Sequence, residues 1–219
     1  MKRKIPLVTW QVYHILSRSI AEYKIFNSQE DYLRMQQLLE YYQVENNQKF
    51  SDFIVSRGVT RGNFYNYLEK INKNKKELVQ IIAYCLMPTH LHLILKQLKK
   101  DGISKYIGNI LNSYTRYFNM KHKRKGPLWE AKFKNILMDS DEQLLHLTRY
   151  IHLNPATALI VKKPEEWEYS SYKDYLGLVP KRCDYQDLLD IQPKIYRKFV
   201  NDRISYQREL AKIKASTLE

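Results

Sequence analysis

The sequence predicts an α+β fold in which helices pack against an antiparallel sheet. Segments with strand and helix patterns alternate along the 219 residues, an order that favours mixed layers of this kind. The apolar run 79–86 and the alternating run 90–95 are separated only by Met87-Pro88-Thr89. Two strand patterns joined by so short a turn indicate a β-hairpin, which we expect in the centre of the sheet.

The other elements follow from their local patterns. Residues 7–18 are rich in β-branched and aromatic residues, which favours a first strand. Ser28 is a suitable N-cap for a helix over about 29–43. Apolar residues at helical spacing predict a second helix over 103–119, and residues 128–138 have the pattern of a further strand.

A later helix is predicted from its first residues. Ser140-Asp141-Glu142-Gln143 matches a capping box. We expect this helix to end at about Asn154, because Pro155 disfavours helical geometry at the residue before it. We then expect a second short helix over Ala156 to Val161.

Three stretches frame the domain organisation. Residues 44–78 are polar and lysine-rich, which indicates an insertion with some helix, and KINKNKK at 70–76 is typical of a solvated surface. A helical tail is predicted over about 184–215. We therefore divide the chain into a main domain at 1–178 and a helical C-terminal extension at 179–219.

The chain carries a net charge of +14 and a pI near 9.6, which favours a polyanionic partner. Nucleic acid fits better than an anionic membrane surface, because no basic amphipathic segment ends in an apolar anchor. The 18 tyrosines offer aromatic faces on which single-stranded bases could stack. Cys85 and Cys183 lack a CxxC neighbour, and no long apolar run indicates a signal peptide or a membrane span. We expect a cytoplasmic, nucleoid-associated protein.

His90 and His92 are candidate metal ligands. They lie two residues apart on a predicted strand, so both imidazoles point to one face, where they could bind one divalent metal. Neighbouring histidines on a polar sheet face also occur by chance. Their spacing alone modestly favours this interpretation, in which the pair has no function. Their position inside an apolar hairpin favours a functional pair, because buried polar groups need partners.

Tyr150 and Asn154 lie four residues apart and share a face of the predicted helix. The amide oxygen of Asn154 is a hard ligand suited to magnesium or manganese. Its local pattern alone favours another role, as the N-cap of a helix whose first residue is Pro155. Tyr114 and Tyr117 are more typical of core residues.

Five ordered motifs resemble the REP-associated tyrosine transposases of the HUH single-strand transposase superfamily. The first, YCLMPTHLHLIL at 84–95, is similar to the HUH hairpin of that family. The other four follow in the family's order and spacing, and all five lie between residues 7 and 178: SYTRYFN at 113–119, GPLWEAKFK at 126–134, RYIHLNPATALIV at 149–161 and EEWEYSSYKDYLG at 165–177.

The resemblance implies a ferredoxin-like sheet with helices on one face and a metal-dependent DNA transposase or endonuclease. His90 and His92 match the family's metal-binding histidines, Tyr150 matches its nucleophile, and Asn154 matches the polar residue that completes the metal site. The cofactor would be Mg²⁺ or Mn²⁺. The product would be a 5′-phosphotyrosine, which conserves the bond energy needed to rejoin DNA next to a hairpin.

We expect single-stranded and hairpin DNA as the partner, and no membrane; a homodimer stays open. Basic side chains near the predicted site are candidate DNA contacts: Arg116, Lys121, Lys123, Arg124, Lys125, Lys132 and Lys134. Three alternatives remain at this point. They are a domesticated hairpin-binding protein without cleavage, an HUH replication initiator or relaxase, and a basic ferredoxin-like RNA-binding protein.

Overall fold

The computed structural model describes residues 5–46, 48–130 and 132–209. Two 3₁₀ turns, at Ile20–Glu22 and Pro164–Glu166, accompany the regular elements. The strands are β1 Val12–Arg18, β2 Val79–Met87, β3 His90–Gln97 and β4 Lys134–Leu137. The helices are α1 Gln29–Tyr41, α2 Phe50–Ser56, α3 Phe64–Asn72, α4 Gly102–Lys121, α5 Asp141–Thr157, α6 Tyr172–Tyr175 and α7 Pro193–Asn201.

The four strands form one antiparallel sheet in the order β2-β3-β1-β4. With α1 after β1 and α4 after β3, this is the β-α-β-β-α-β arrangement of a ferredoxin-like fold. The predicted fold class is confirmed. The predicted central position of the hairpin is wrong for β2, which lies at the edge. Its outer side is covered, because Leu86 N donates to Tyr169 O and Ser171 N donates to Tyr84 O, each at 2.9 Å.

Helices α1 and α4 cover one face of the sheet, which we call the core face. Leu91, Leu93 and Leu95 point to it and are fully buried. The two helices are tied to each other and to the sheet. The Tyr106 hydroxyl on α4 donates to Leu39 O at 2.9 Å, and Gln97 Oε1 on β3 accepts from Ile103 N at 3.1 Å.

The capping signal of α1 forms as predicted. Ser28 Oγ accepts from Asp31 N, and the Asp31 carboxylate accepts from Ser28 N. Asp31 is fully buried and also accepts from Lys121 Nζ at 2.8 Å. Since a buried carboxylate needs such partners, this cluster joins the start of α1 to the end of α4.

The insertion packs on aromatic rings rather than standing apart as a polar loop. Phe50, Phe53 and Phe64 from α2 and α3 are fully buried. The rings of Phe50 and Phe53 lie 5.1 and 4.9 Å from that of Tyr41 at the end of α1. Some helix was expected here, but not this core. The lysine-rich stretch at 70–76 is largely exposed, as predicted.

The first and last strands are shorter than predicted. β1 begins only at Val12, after Trp10 takes a left-handed φ of 69°. β4 is limited to Lys134–Leu137 because Leu128 and Phe133 are both buried. Residues five apart point to opposite faces of a regular strand, so burying both in one core requires irregular backbone between them.

Helix α5 continues through Pro155 and ends at Thr157. The predicted end at Asn154, the second short helix and the N-cap alternative for Asn154 are therefore wrong. Pro155 stands two residues before the last residue of the helix, and the loss of its N–H removes one hydrogen bond. Its burial and the bonds from Ala158 N to Asn154 O and Ile160 N to Pro155 O complete the last turn.

The C-terminal extension is helical, but later in the chain than predicted. Residues 184–192 have no regular helix, and Asp184 N instead donates to Ile81 O of β2 at 2.9 Å. Helix α7 begins at Pro193, a residue favoured at the first helical position. Helical turns return at 204–209, and the rest of the predicted tail lies outside the described residues. None of the described helices is both long and apolar enough to cross a membrane.

Candidate active site

His90 and His92 lie on the second face of the sheet, which we call the histidine face. The register pairs His92 with Leu16 of β1 and with Cys85 of β2, and it pairs His90 with Arg18. Residues paired across antiparallel strands point to the same face. The two imidazole rings are 5.1 Å apart and nearly perpendicular, with an angle of 81° between their planes.

Each of these imidazoles is held by its Nδ1 atom. Thr89 Oγ1 lies 2.9 Å from His90 Nδ1, and His14 Nε2 lies 2.9 Å from His92 Nδ1. Among the described residues, no hydrogen bond reaches either Nε2 atom. Both rings can therefore present Nε2 to a ligand on this face.

Burial keeps the histidines neutral. It lowers the pKa of His90 to about 4, with a further contribution from the positive charge of Arg18. Burial also lowers the pKa of His92 well below its usual value, assisted by His14, His90 and Arg18. A neutral imidazole keeps the lone pair that metal coordination requires.

Tyr150 approaches the histidines from α5. Ser140 begins this helix by accepting from Gln143 N at 3.1 Å, whereas the Gln143 side chain reaches Asp139 N, one residue before the cap. The Tyr150 ring lies 5.9 Å from that of His92 at 90°, and 44% of the residue is exposed. Asn154 follows one helical turn later on the same side of α5 and is half-buried.

A buried hydrogen-bond chain fixes α5 in place. His152 is fully buried; its Nε2 lies 2.8 Å from Ser171 Oγ and its Nδ1 lies 2.7 Å from the Tyr196 hydroxyl. Because Ser171 Oγ donates to Tyr84 O at 3.2 Å, it accepts from His152 Nε2–H, and Tyr196 donates to Nδ1. The chain thus links α5 to β2 and to α7.

Basic side chains border the histidines on the β1 and β4 side. Arg18 stands opposite His90, and Lys134 is paired with Leu16, which in turn is paired with His92. Lys134 therefore lies two strands from His92, roughly 10 Å across the sheet. Lys132, Lys134 and Arg18 line one small cleft, and all three are exposed.

The other predicted DNA contacts fall into two groups: basic side chains that bind partners within the protein, and basic side chains that are exposed. Lys121 binds Glu30 and Asp31 at 3.0 and 2.8 Å, so its charge is neutralised within the protein. Arg124 donates to Asn119 Oδ1 and Pro127 O, each at 2.9 Å. The remaining three are exposed, Arg116 within α4 and Lys123 and Lys125 after its end, and no ion pair to them is found in the described parts of the chain.

The donor set on the histidine face fits a magnesium-type or manganese-type ion of modest affinity. His90 and His92 each offer Nε2, and Asn154 lies one helical turn after Tyr150 on α5. Among residues 5–46, 48–130 and 132–209, no group of three or more His, Cys, Asp or Glu side chains could hold a metal. Any site here therefore depends on the amide or on substrate oxygens, which are hard ligands.

Comparisons with known proteins concern the family and the fold of this chain. Residues 55–154 match the family model described as "Transposase IS200 like". A protein of Haemophilus influenzae, provisionally named a REP-associated tyrosine transposase, is 23% identical over 134 aligned residues, and the match covers 54% of this chain and 76% of that protein. The resemblance to the tyrosine transposases is confirmed.

A solved structure matches the fold of this chain. It is a REP-associated tyrosine transposase bound to a REP hairpin, and the match has a TM-score of 0.52 and 14% sequence identity. The alignment covers 82% of this chain and 88% of the other. At this identity, the match speaks for the fold, including the helical C-terminal region.

Sequence reasoning missed His14 and Arg18. Together with Leu16 they alternate along β1 in VYHILSR, and the period of two predicts a common face. That signal was available in the sequence. The pairing of β1 with β3, which places this face beside His90 and His92, came only from the fold.

Proposed function

We propose that this chain is a single-strand DNA transposase or endonuclease that cleaves and rejoins DNA next to hairpins, with Tyr150 as nucleophile. The observation that carries the proposal is that the Tyr150 ring lies 5.9 Å from that of His92 and perpendicular to it, on the face that His90 and His92 share. The relative solved with a REP hairpin supports hairpin DNA as the substrate class.

The chemical step is an exchange of phosphodiester bonds. The Tyr150 hydroxyl loses its proton as its oxygen attacks the scissile phosphorus, and the bond from phosphorus to the 3′ oxygen breaks. The 3′ oxygen leaves as a hydroxyl after taking up a proton, and the 5′ phosphate remains on the tyrosine. The bond count is unchanged, so a second 3′ hydroxyl can reverse the step without ATP.

Tyr150 is suited to this step because its position is fixed while its ring is accessible. The chain from Ser171 through His152 to Tyr196 holds α5 two residues away. A fixed nucleophile avoids much of the entropic cost of aligning the attack. The exposed fraction of Tyr150 leaves room for a strand that has left its duplex.

His90, His92 and Asn154 would hold a divalent metal, Mg²⁺ or Mn²⁺. When bound, such an ion polarises a phosphate oxygen and stabilises the charge that develops in the transition state. Arg18, Lys132 and Lys134 lie beside the histidines, where they would hold the flanking phosphates.

The test uses a labelled hairpin oligonucleotide with a single-stranded flank, incubated with Mg²⁺ and run on a denaturing protein gel. Wild-type protein should give a covalent band. Tyr150→Phe removes only the hydroxyl, so it should bind the hairpin with unchanged affinity and give no band. Tyr114→Phe is the matched control, because the Tyr114 hydroxyl is buried and donates to Ile25 O at 2.6 Å.

Two outcomes would count against the proposal. A band that persists in Tyr150→Phe and disappears in Tyr114→Phe would move the nucleophile to α4. Hairpin binding without a band, across a library of flanking sequences and with either metal, would favour a binding protein without cleavage.

A further inference from the structure

His14 contacts a proposed metal ligand from the neighbouring strand. The register places Leu16 opposite His92 and His14 opposite Ile94, so His14 is the diagonal neighbour of His92 on the histidine face. Their rings lie edge to edge and nearly in one plane, with centroids 5.1 Å apart and an angle of 11° between the planes. The exposed fractions are 7% for His14 and 4% for His92, so water has little access to the contact.

The 2.9 Å contact between His14 Nε2 and His92 Nδ1 requires one donor and one lone pair. If His14 donates, His92 carries its own proton on Nε2 and cannot bind a metal through that atom. If His92 donates from Nδ1, its Nε2 carries the lone pair instead. Only the second arrangement allows His92 to bind a metal through Nε2.

We propose that His14 is a positioning residue that accepts a hydrogen bond from His92 Nδ1–H and thereby directs the Nε2 lone pair of His92 toward the metal. The inference rests on the metal site of the proposed function. Partners of this kind fix the tautomer and the ring orientation of ligating histidines. Thr89 serves His90 in the same way through its Oγ1.

The geometry separates this role from direct ligation. His14 Nε2 already contacts His92 Nδ1. That contact lies on the opposite side of the His92 ring from Nε2, the atom that would bind the metal. His14 also lies one strand from the hairpin that carries His90 and His92. Its effect on a metal would therefore pass through His92.

Three variants test the role in the full-length protein. His14→Phe keeps an aromatic ring at this position and removes the acceptor, whereas His14→Gln restores an acceptor oxygen. His122→Phe is the control for exchanging histidine for phenylalanine, since His122 is exposed at the end of α4. The first readout is the affinity for Mn²⁺ by calorimetry. We expect a loss of about 10- to 100-fold in His14→Phe, a smaller loss in His14→Gln and none in His122→Phe.

The second readout is the tautomer of His92 by nitrogen NMR of the metal-free wild-type protein. A proton on Nδ1 is expected, and a proton on Nε2 overturns the inference, even if His14→Phe fails to fold. A folded His14→Phe with wild-type Mn²⁺ affinity also overturns it and leaves the proposed function standing. If the wild-type protein binds no Mn²⁺, the metal site of the proposed function fails, and the role of His14 toward a metal fails with it.

Discussion

Arg18 is a single residue whose placement gives it a role that its sequence context did not reveal. It stands opposite His90 at the end of β1, and its charge is the second cause of the lowered pKa of His90. No ion pair to Arg18 is found among the residues that the structure describes. Its guanidinium is thus available for two hydrogen bonds to one phosphate.

We predict that Arg18→Ala slows cleavage of a hairpin substrate by about 10- to 100-fold, the effect of removing a charged hydrogen bond of about 1.5–3 kcal/mol. Single-turnover formation of the covalent adduct measures the effect. Arg57→Ala, at the exposed end of α2 in the insertion, removes the same charge away from the histidines. Equal slowing in both variants would show that Arg18 acts only through the net charge of the protein, and it would contradict a specific phosphate contact.

Helix α5 is the element on which the site depends, and α7 helps to hold it. Tyr196 of α7 is fully buried and donates to His152 at 2.7 Å. Arg149 of α5 lies over the Phe199 ring, with its guanidinium carbon 4.0 Å from the ring centre. The C-terminal extension therefore supports the helix that carries Tyr150.

We predict that Tyr196→Phe lowers the free energy of unfolding by about 1–3 kcal/mol, because it leaves His152 Nδ1 buried without a donor. Tyr172→Phe is a closely matched control. Tyr172 is also fully buried and its ring lies 5.5 Å from that of His152, yet its hydroxyl is buried with no described partner. Urea denaturation of both variants measures the free energy of unfolding. Equal losses of stability would contradict the role given to the hydrogen-bond chain through His152.

At the scale of the whole molecule, Glu40 joins three parts of the chain. It lies on α1, accepts from Tyr65 of the insertion at 3.2 Å, and its Oε1 is 3.6 Å from Arg182 Nε of the C-terminal extension. Burial raises the pKa of Glu40 to about 7, and the opposing attraction of Arg182 is smaller. The folded protein therefore holds this proton more tightly than the unfolded chain does.

This shift has a definite sign. Stability from the protonated Glu40 is present in full below the unfolded pKa of about 4.3 and is lost as the pH rises through about 7. Glu40→Gln imitates the protonated form, so it should gain about 3–4 kcal/mol over wild type at pH 8 and about 0.5 kcal/mol at pH 4.5. Denaturation at both pH values measures this, with the exposed Glu142→Gln as control. A gain that does not grow with pH would contradict the raised pKa.

The net charge of +14 acts at the same scale. We predict that hairpin DNA with a single-stranded flank binds more tightly than blunt duplex and that salt weakens binding steeply. Contacts to about five phosphates would give a slope of about −3.5 in log K against log salt for a single strand. Equal affinity for blunt duplex would count against this.

Individual lysines should contribute to this salt dependence to different extents. Lys132→Ala should reduce it by about 1, as expected for one lost phosphate contact. Lys121→Ala should leave the slope almost unchanged and destabilise the fold, because Lys121 neutralises the buried Asp31. Titrations at several salt concentrations distinguish the two.

The sequence by itself determined what local periodicity and motif order encode. The alternation along the strand of His90 and His92 put both on one face, Ser28 began α1, and the five motifs led to the transposase resemblance. Each of these depends on residues close together in the chain. A period of two or of 3.6, or a capping pair three residues apart, is visible without tertiary contacts.

Only the tertiary structure decided the features that depend on distant segments. The local rule ended α5 at Asn154, but burial of Pro155 and the bonds of the last turn carry the helix to Thr157. The 2.9 Å contact between His14 and His92 joins residues 78 positions apart. Strand pairing, which no local pattern specifies, brings those two rings together, and packing against α7 fixes the helix that brings Tyr150 to them.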